Sequence, residues 1–302
     1  MKASDSTGSE FLSGFIAIVG PPNVGKSTLL NRLLGQKVAI VSPKPQTTRN
    51  RILGIYQGDG YQMIFIDTPG IHRPKTALHQ SMVASAKASL SEVDIVLMMI
   101  DMSSPASPEV PGILKSLRTT GRPALLAINK IDLGPKDRIL PIIDTFHRRH
   151  SFEAIIPISA LQGGGLDALI NELKRWMSPG PAFFPGDMKT DQSELFLASE
   201  IIREKIFLHT RKELPYSSAV SVEKMEDRPG RDLLSIAARI HVETPSQKGI
   251  LIGEGGSMIK TIGRASRIEL EKIFGTRVYL DLMVRVEKNW SRDPRALRRL
   301  GY

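Results

Sequence analysis

The sequence predicts a doubly wound α/β half over residues 14–177, followed by a smaller α+β half over residues 191–302. Three observations predict this. Up to Met177, short apolar runs alternate with segments of helical length, and each run ends in a polar or turn residue, as buried parallel strands do. SPGPAFFPGD (178–187), with three prolines and two glycines, then breaks all periodicity. Beyond it apolar residues recur with period two, the pattern of a sheet covered on one face.

Residues 1–13 are polar and mixed in charge and are expected to form a disordered tail. FIAIVG (15–20), MIFID (63–67), DIVLMMID (94–101), ALLAIN (124–129) and AIIPIS (154–159) are too short for helices and read as strands. The helices between them are expected over 26–34, 75–90, 109–119 and 166–176. Residues 178–190 read as a linker. A helix over 191–209 carries Leu195, Ala198, Ile202 and Ile206 along one stripe. Leu234, Ile236, Ala238, Ile240 and Val242 alternate with polar or small residues, and Val278, Leu280, Leu282, Val284 and Val286 repeat the alternation. Between those strands lies ILIGEGGSMIK (250–260), whose following helix presents Met258, Ile259, Ile262, Ala265 and Ile268. The order is helix, strand, strand, helix, GxxG, helix, strand.

At 302 residues the chain is long enough for a sizeable core in each half. It has no cysteine, which excludes disulfides, thiolate zinc sites and cysteine nucleophiles and fits a reducing compartment. No apolar run approaches the length of a membrane span, and no secretion signal precedes the first strand, so a soluble protein is expected. The net charge is +10, and from residue 248 onward twelve basic side chains stand against six acidic ones. Such a cluster suits either a solvated surface or a nucleic-acid face.

GPPNVGKS (20–27) joins the first strand to the first helix and reads as a phosphate-binding loop formed by Gly20, Pro21, Pro22, Asn23, Val24, Gly25, Lys26, Ser27 and Thr28. Successive amides would point at phosphate oxygens, Lys26 would add a point charge, and the Ser27 hydroxyl would ligate Mg²⁺. Asp67-Thr68-Pro69-Gly70 closes a strand and is expected to line the nucleotide, with Asp67 where it can hold Mg²⁺ through water and the Gly70 amide where it can meet a γ-phosphate. In PQTTRN (45–50) one threonine should close over the metal; Thr48 is preferred and Thr47 is the alternative. Asn129-Lys130-Ile131-Asp132 supplies guanine selection: Asp132 accepts from the ring N–H and the exocyclic amine, Asn129 bonds the opposite edge, and the Lys130 stem covers the ring. Ser159-Ala160-Leu161 follows a strand and can offer an amide to the guanine oxygen. Metal ligands are therefore expected at Ser27, Thr48 and Asp67, and GTP or GDP as the nucleotide.

GPPNVGKS, PQTTR, DTPG, NKID and SAL, in this order, resemble the signature elements of the translation-factor-related GTPases. LPYSSAV (214–220), ILIGEGGSMIK and VRVEKNWSRDP resemble the Era family, which joins such a P-loop GTPase domain to a type II KH domain that binds RNA. The resemblance implies a GTP-binding and GTP-hydrolysing switch that binds small-subunit ribosomal RNA near its 3′ end and acts in assembly of the small ribosomal subunit. It also implies a cytoplasmic protein, in part peripheral to the membrane, and a monomer is expected. RNA is expected on Lys248, Ile252, Gly253, Glu254, Gly255, Gly256, Lys260 and Arg264, with Glu254 standing where Era proteins often carry lysine. Ile71 occupies the place of the glutamine that orients water in many GTPases, so slow intrinsic hydrolysis is expected, and an RNA-binding module with an occupied, non-hydrolysing pocket is the alternative. Related GTPases that lack the glutamine use a monovalent cation, which implies K⁺ beside Asn23. Lys26, Thr48, Gly70 and Asn23 are the catalytic candidates.

Overall fold

Burial on both faces turns the apolar runs into strands. Along Leu12–Val19 (β1), Ile16 and Ile18 enter one core while Ala17 and Val19 enter the other, and all four are fully covered. The computed structural model describes residues 10–45, 47–69, 77–228, 230 and 232–302. Ile52–Gly58 (β2), Tyr61–Asp67 (β3), Ile95–Asp101 (β4), Ala124–Asn129 (β5) and Ala154–Pro157 (β6) complete a sheet of order β2-β3-β1-β4-β5-β6. It is parallel except for β2, which runs antiparallel to β3. A two-residue strand, Ser178–Pro179 (β7), pairs with Leu12 and Ser13, so β1 takes in two residues assigned above to the tail. Residues 1–9 of that tail lie outside the described residues.

Lys26–Leu34 (α1), Ala77–Ser91 (α2), Val110–Thr120 (α3), Ile139–Arg149 (α4) and Leu166–Arg175 (α5) accompany the sheet. β2 and α4 have no counterpart among the expected elements. The strand order turns back on itself at β1, between β3 and β4, and the carboxyl end of β1 is therefore the crevice in which such folds bind ligands.

The second half comprises Glu194–His209 (α6), Ser218–Arg228 (β8), Leu233–Val242 (β9), Pro245–Ile252 (α7), Ser257–Phe274 (α8), Arg277–Val286 (β10) and Pro294–Arg299 (α9). Its sheet has the order β10-β9-β8, with β9 and β10 parallel and β8 antiparallel to β9. Ile202, Ile206, Leu251 and Ile262 pack on Ala238, Ile240 and Val242. Two expected core residues are exposed instead, Leu195 at 46% and Ile268 at 54%. On α6 the stripe is shifted to Ala198, Ile201, Ile202 and Ile206, and the charged residues Glu200, Arg203, Glu204 and Lys205 are buried as well, with Lys37, Val41 and Thr47 bonded to that side.

Residues 180–190, expected to be a linker, are fastened along the first sheet. The Gly180 amide donates to Phe11 O. The buried Gln62 side chain donates to Phe184 O at 2.8 Å and accepts from the amides of Phe183 and Phe184. Ile55 N donates to Lys189 O at 2.8 Å, and the Thr190 hydroxyl donates to Leu53 O at 2.7 Å.

Candidate functional site: a nucleotide cleft and a GxxG turn

The loop between β1 and α1 is shaped by two glycines with different tasks. A Cβ on Gly20 would lie 2.5 Å from Met99 O on β4, so only glycine allows the loop to leave the sheet here. Gly25 has φ +102°, which favours glycine, and its missing side chain leaves room for Asn129 Nδ2. Gly25 is also the N-cap of α1, so the uncapped amides of the first helical turn face the cleft. Lys26 is buried, and its ammonium donates to the carbonyls of Gly20 and Pro21 at 3.2 and 3.0 Å.

Ser27, Thr48 and Asp67 converge. The Ser27 hydroxyl donates to Asp67 Oδ2 at 2.6 Å and lies 3.0 Å from Thr48 Oγ1, which is 3.5 Å from the same carboxylate oxygen. Thr47 is engaged elsewhere: its hydroxyl donates to Lys44 O at 2.8 Å and lies 2.7 Å from Ser42 Oγ. Burial pushes the Asp67 carboxyl up, against the pull of Lys26 and the two hydroxyls, and burial pushes the Lys26 ammonium down, partly offset by Asp67. A cation at Asp67 and an anion at Lys26 would reverse both directions. Asp67 Oδ1 is buried and has no hydrogen-bond partner among the described residues, so a hard oxygen site with one open carboxylate oxygen fits Mg²⁺.

A cleft of about 490 Å³ opens from these groups, lined by Pro22, Asn23, Gly25, Ser27, Thr28, the 40–43 segment, Thr47 and Thr48, and it extends to Lys130. Lys130 follows β5 directly with φ +66°, and its ammonium meets Asp101 Oδ2 at 2.6 Å, which fixes its stem along the cleft. Burial would raise the Asp101 carboxyl, but Lys130 and Ser103 hold it below the usual range. Asn129 bridges two loops: its Nδ2 donates to Val24 O at 2.7 Å and its Oδ1 accepts from Ala160 N at 2.9 Å. Asp132 lies in the short turn Ile131–Leu133 just past Lys130, half-buried, and accepts no hydrogen bond among the described residues. Ser159 is buried with its hydroxyl accepting from Gln162 N, while Leu161 is largely exposed.

Thr68 departs from the expectation that it faces nucleotide. Its side chain is fully buried and its hydroxyl donates to Ile18 O at 2.9 Å, tying the end of β3 to β1. Pro69 is buried as well. Gly70 and Ile71 lie outside the described residues. Asn23 has φ +59° and donates from Nδ2 to Pro43 O at 2.8 Å. Asp101 was missed by sequence reasoning, although an aspartate ending a strand at its carboxyl end was the available signal.

In the second half α7 and α8 meet at Gly253–Gly256. Gly253 has φ +72° and closes within 2.7 Å of Met258 N where a Cβ would stand, so this position admits only glycine. Gly255 and Gly256 are also at positive φ but have open space before them, and the Lys260 stem lies alongside Gly256. Glu254, Lys260 and Arg264 are exposed, Lys248 and Ile252 are half-buried, and Lys260 and Arg264 share a face of α8.

The family model described as a 50S ribosome-binding GTPase matches residues 15–130, and the KH domain model matches residues 213–291. The GTPase Era of Syntrophus aciditrophicus is 51% identical over 301 residues, covering 100% of this chain and 98% of its own length. The chain belongs to the Era family of GTPases. The Era of Geobacter metallireducens is 49% identical over 292 residues, covering 97% of this chain and 98% of its own length. Two crystal structures of Era share the fold at TM-score 0.94 and 44% identity, each covering 97% of this chain and 99% of the solved chain. One is an Aquifex aeolicus Era variant bound to GDP and AlF₄⁻; the other is Era with MgGDPNP and nucleotides 1506–1542 of 16S ribosomal RNA.

Proposed function

We propose that this Era-family GTPase binds GTP and Mg²⁺ in the cleft at the end of β1, binds the 3′-terminal region of small-subunit ribosomal RNA at the GxxG turn, and acts in assembly of the small ribosomal subunit. The observation that carries the reading is the meeting of Ser27, Thr48 and Asp67 beside Lys26 at one end of a cleft that leads to Lys130. It is supported by a relative, at 44% identity over nearly the whole chain, solved with MgGDPNP and 16S ribosomal RNA.

In this reading the α1 amides and Lys26 hold the phosphates, and Lys26 regains its charge against them. Ser27, Thr48 and Asp67 hold Mg²⁺, which neutralises charge on the β- and γ-phosphates. Thr48 rather than Thr47 takes this part because only its hydroxyl stands at Ser27 and Asp67. Asp132 selects guanine; Asn129 shapes the base site by locking Val24 to Ala160 and keeps one N–H and one lone pair free for the base. Water attacks the γ-phosphorus, the bond to the bridging oxygen breaks, and GDP and phosphate leave. Asn23 gives its amide N–H to Pro43, which leaves Oδ1 for K⁺ against the phosphates, so hydrolysis should run faster in KCl than in NaCl at equal ionic strength.

The RNA follows Lys248, Ile252, the 253–256 turn, Lys260 and Arg264, with Glu254 turned to solvent. Cytoplasmic residence, a monomeric state and partial association with the cytoplasmic face of the membrane belong to the same proposal and rest on the family alone. No helix among the described residues is long and apolar enough to cross a membrane. The test is phosphate release from GTP with and without an RNA copied from the small-subunit 3′ end. Turnover raised by that RNA, and not by an unrelated RNA of equal length, is expected; an absence of turnover under both conditions would leave only the non-hydrolysing alternative.

A further inference from the structure

Thr48 is held from both sides by the second half of the chain. On one side, Thr47 O accepts from Arg203 Nη2 at 2.6 Å, and Arg203 is fully buried and paired with Glu200. On the other side stands Arg49, 5% exposed. Its Nη1 donates to Ser218 O at 2.8 Å, and its Nη2 donates to Pro215 O and Tyr216 O at 3.1 and 2.9 Å. Its guanidinium carbon lies 5.9, 5.8 and 5.4 Å from the ring centres of Phe207, Trp290 and Tyr302. Nη1 also reaches the Tyr302 hydroxyl at 3.4 Å.

No carboxylate bonds this guanidinium among the described residues. Carbonyl oxygens and aromatic faces take that part, and they are arranged for a planar cation with several fixed donors. The cage is itself braced: Trp290 Nε1 donates to Ser217 O at 3.0 Å, and the Trp290 and Tyr302 rings lie 5.8 Å apart. Burial of a cation under these conditions is costly, and a hydrophobic plug would cover the same rings. What the arginine adds is direction, because hydrogen bonds to three successive-region carbonyls leave its Cα, and hence the neighbouring Thr48, little freedom.

We propose that Arg49 is a positioning residue for GTP hydrolysis: gripped by Phe207, Trp290 and Tyr302, it sets the Thr48 hydroxyl at Ser27 and Asp67. The second half of the chain thereby completes the γ-phosphate side of the nucleotide site. This rests on the reading above that Thr48 meets the metal. GDP binding makes no demand on Thr48, whereas a triphosphate does, so the effect separates the two nucleotides.

The experiment uses the full chain with Arg49→Lys, Arg49→Ala and Tyr302→Ala. Affinities for GDP and for a non-hydrolysable GTP analogue are measured across a Mg²⁺ titration, with amide hydrogen exchange of residues 47–51 followed in the nucleotide-free protein. Expected are GDP affinity within about twofold of the parent, analogue affinity lower by about tenfold with a higher Mg²⁺ midpoint, and faster exchange of that segment. Lysine should not rescue, since an ammonium cannot meet the cage in a plane. Equal losses for GDP and analogue, or no change in their ratio, would overturn the proposal and leave Arg49 a structural residue. Should either Arg49 variant fail to fold, Tyr302→Ala, far from the nucleotide in sequence, decides by the same criteria. A parent protein that bound neither nucleotide would instead overturn the function proposed above.

Discussion

Truncating Asn129 removes a single side chain and leaves two main-chain groups without partners. Val24 O loses a donor at 2.7 Å and Ala160 N loses an acceptor at 2.9 Å, in a place where Asn129 itself is 2% exposed and water has little access. Each unpaired buried group costs about 1–3 kcal/mol, so Asn129→Ala should destabilise the nucleotide-free protein by roughly 2–6 kcal/mol. Asn129→Asp should be at least as damaging, because it retains the acceptor for Ala160 N but sets an oxygen and a buried charge against Val24 O. The assay is urea unfolding of the nucleotide-free protein by circular dichroism, paired with GDP binding to a fluorescent analogue. A loss below about 0.5 kcal/mol for Asn129→Ala would refute the bracket, since it would mean that the two loops hold their positions without it.

Asp132→Asn exchanges an acceptor for a donor, and preference should pass from GTP to XTP in competition binding; retained tight GTP binding would contradict the assignment. Gly253→Asp together with Gly256→Asp adds bulk and charge at the turn, so RNA affinity in a filter-binding assay should fall sharply while GTP affinity persists. His241 stands buried between Ser221 Oγ and Glu287 Oε2, each 2.9 Å from a ring nitrogen. Burial, with Arg239, Arg299 and Arg285 nearby, pushes it down to about 4 against the weaker pull of Glu223, while Glu287 is already paired with Arg299. A pKa lower in the folded than in the unfolded chain means that this stability is complete above about pH 6.5 and is lost as the pH falls toward 4. Thermal unfolding across that range should show the loss, and His241→Gln should flatten it.

The strands of the first half were legible because apolar runs such as DIVLMMID are buried on both faces and therefore carry the signal in composition alone. β2 escaped because ILGIYQG is mixed in character; yet Asp59-Gly60, which turns β2 into β3, is a hairpin signal that was present in the sequence. α4 likewise carries Ile139, Ile142, Ile143 and Phe146 at helical spacing. The meeting of Ser27 and Asp67 was legible from spacing, since Ser27 lies in the first turn of the helix that follows β1 and Asp67 ends the neighbouring strand β3. The choice of Thr48 over Thr47 was not, because it depends on which hydroxyl the loop turns inward, and that is fixed by contacts to residues more than 150 positions away. The burial of charged residues on α6 was not legible for the same reason: no local pattern shows that Lys37 reaches Glu204 at 2.7 Å or that Lys44 reaches Phe207 O and Thr210 O.

The strip from Gly180 to Thr190, fastened to Phe11, Gln62, Ile55 and Leu53, gives α6 the mechanics of a lever. A loose tether would let the second half wander through a volume set by tether length. Here the near end of α6, Glu194, starts four residues past an anchored Thr190, and the far end, His209, lies about 24 Å away along a 16-residue helix. A tilt of about 10° about the anchored end would carry the far end about 4 Å, more than the reach of a hydrogen bond. The Lys44 contacts to Phe207 O and Thr210 O sit at that far end, where the travel is greatest, and the Thr190 bond to Leu53 O sits at the pivot, where it is least. Movement of the second half would thus be felt first by the segment that carries Thr48 and last by the sheet that carries the phosphate loop.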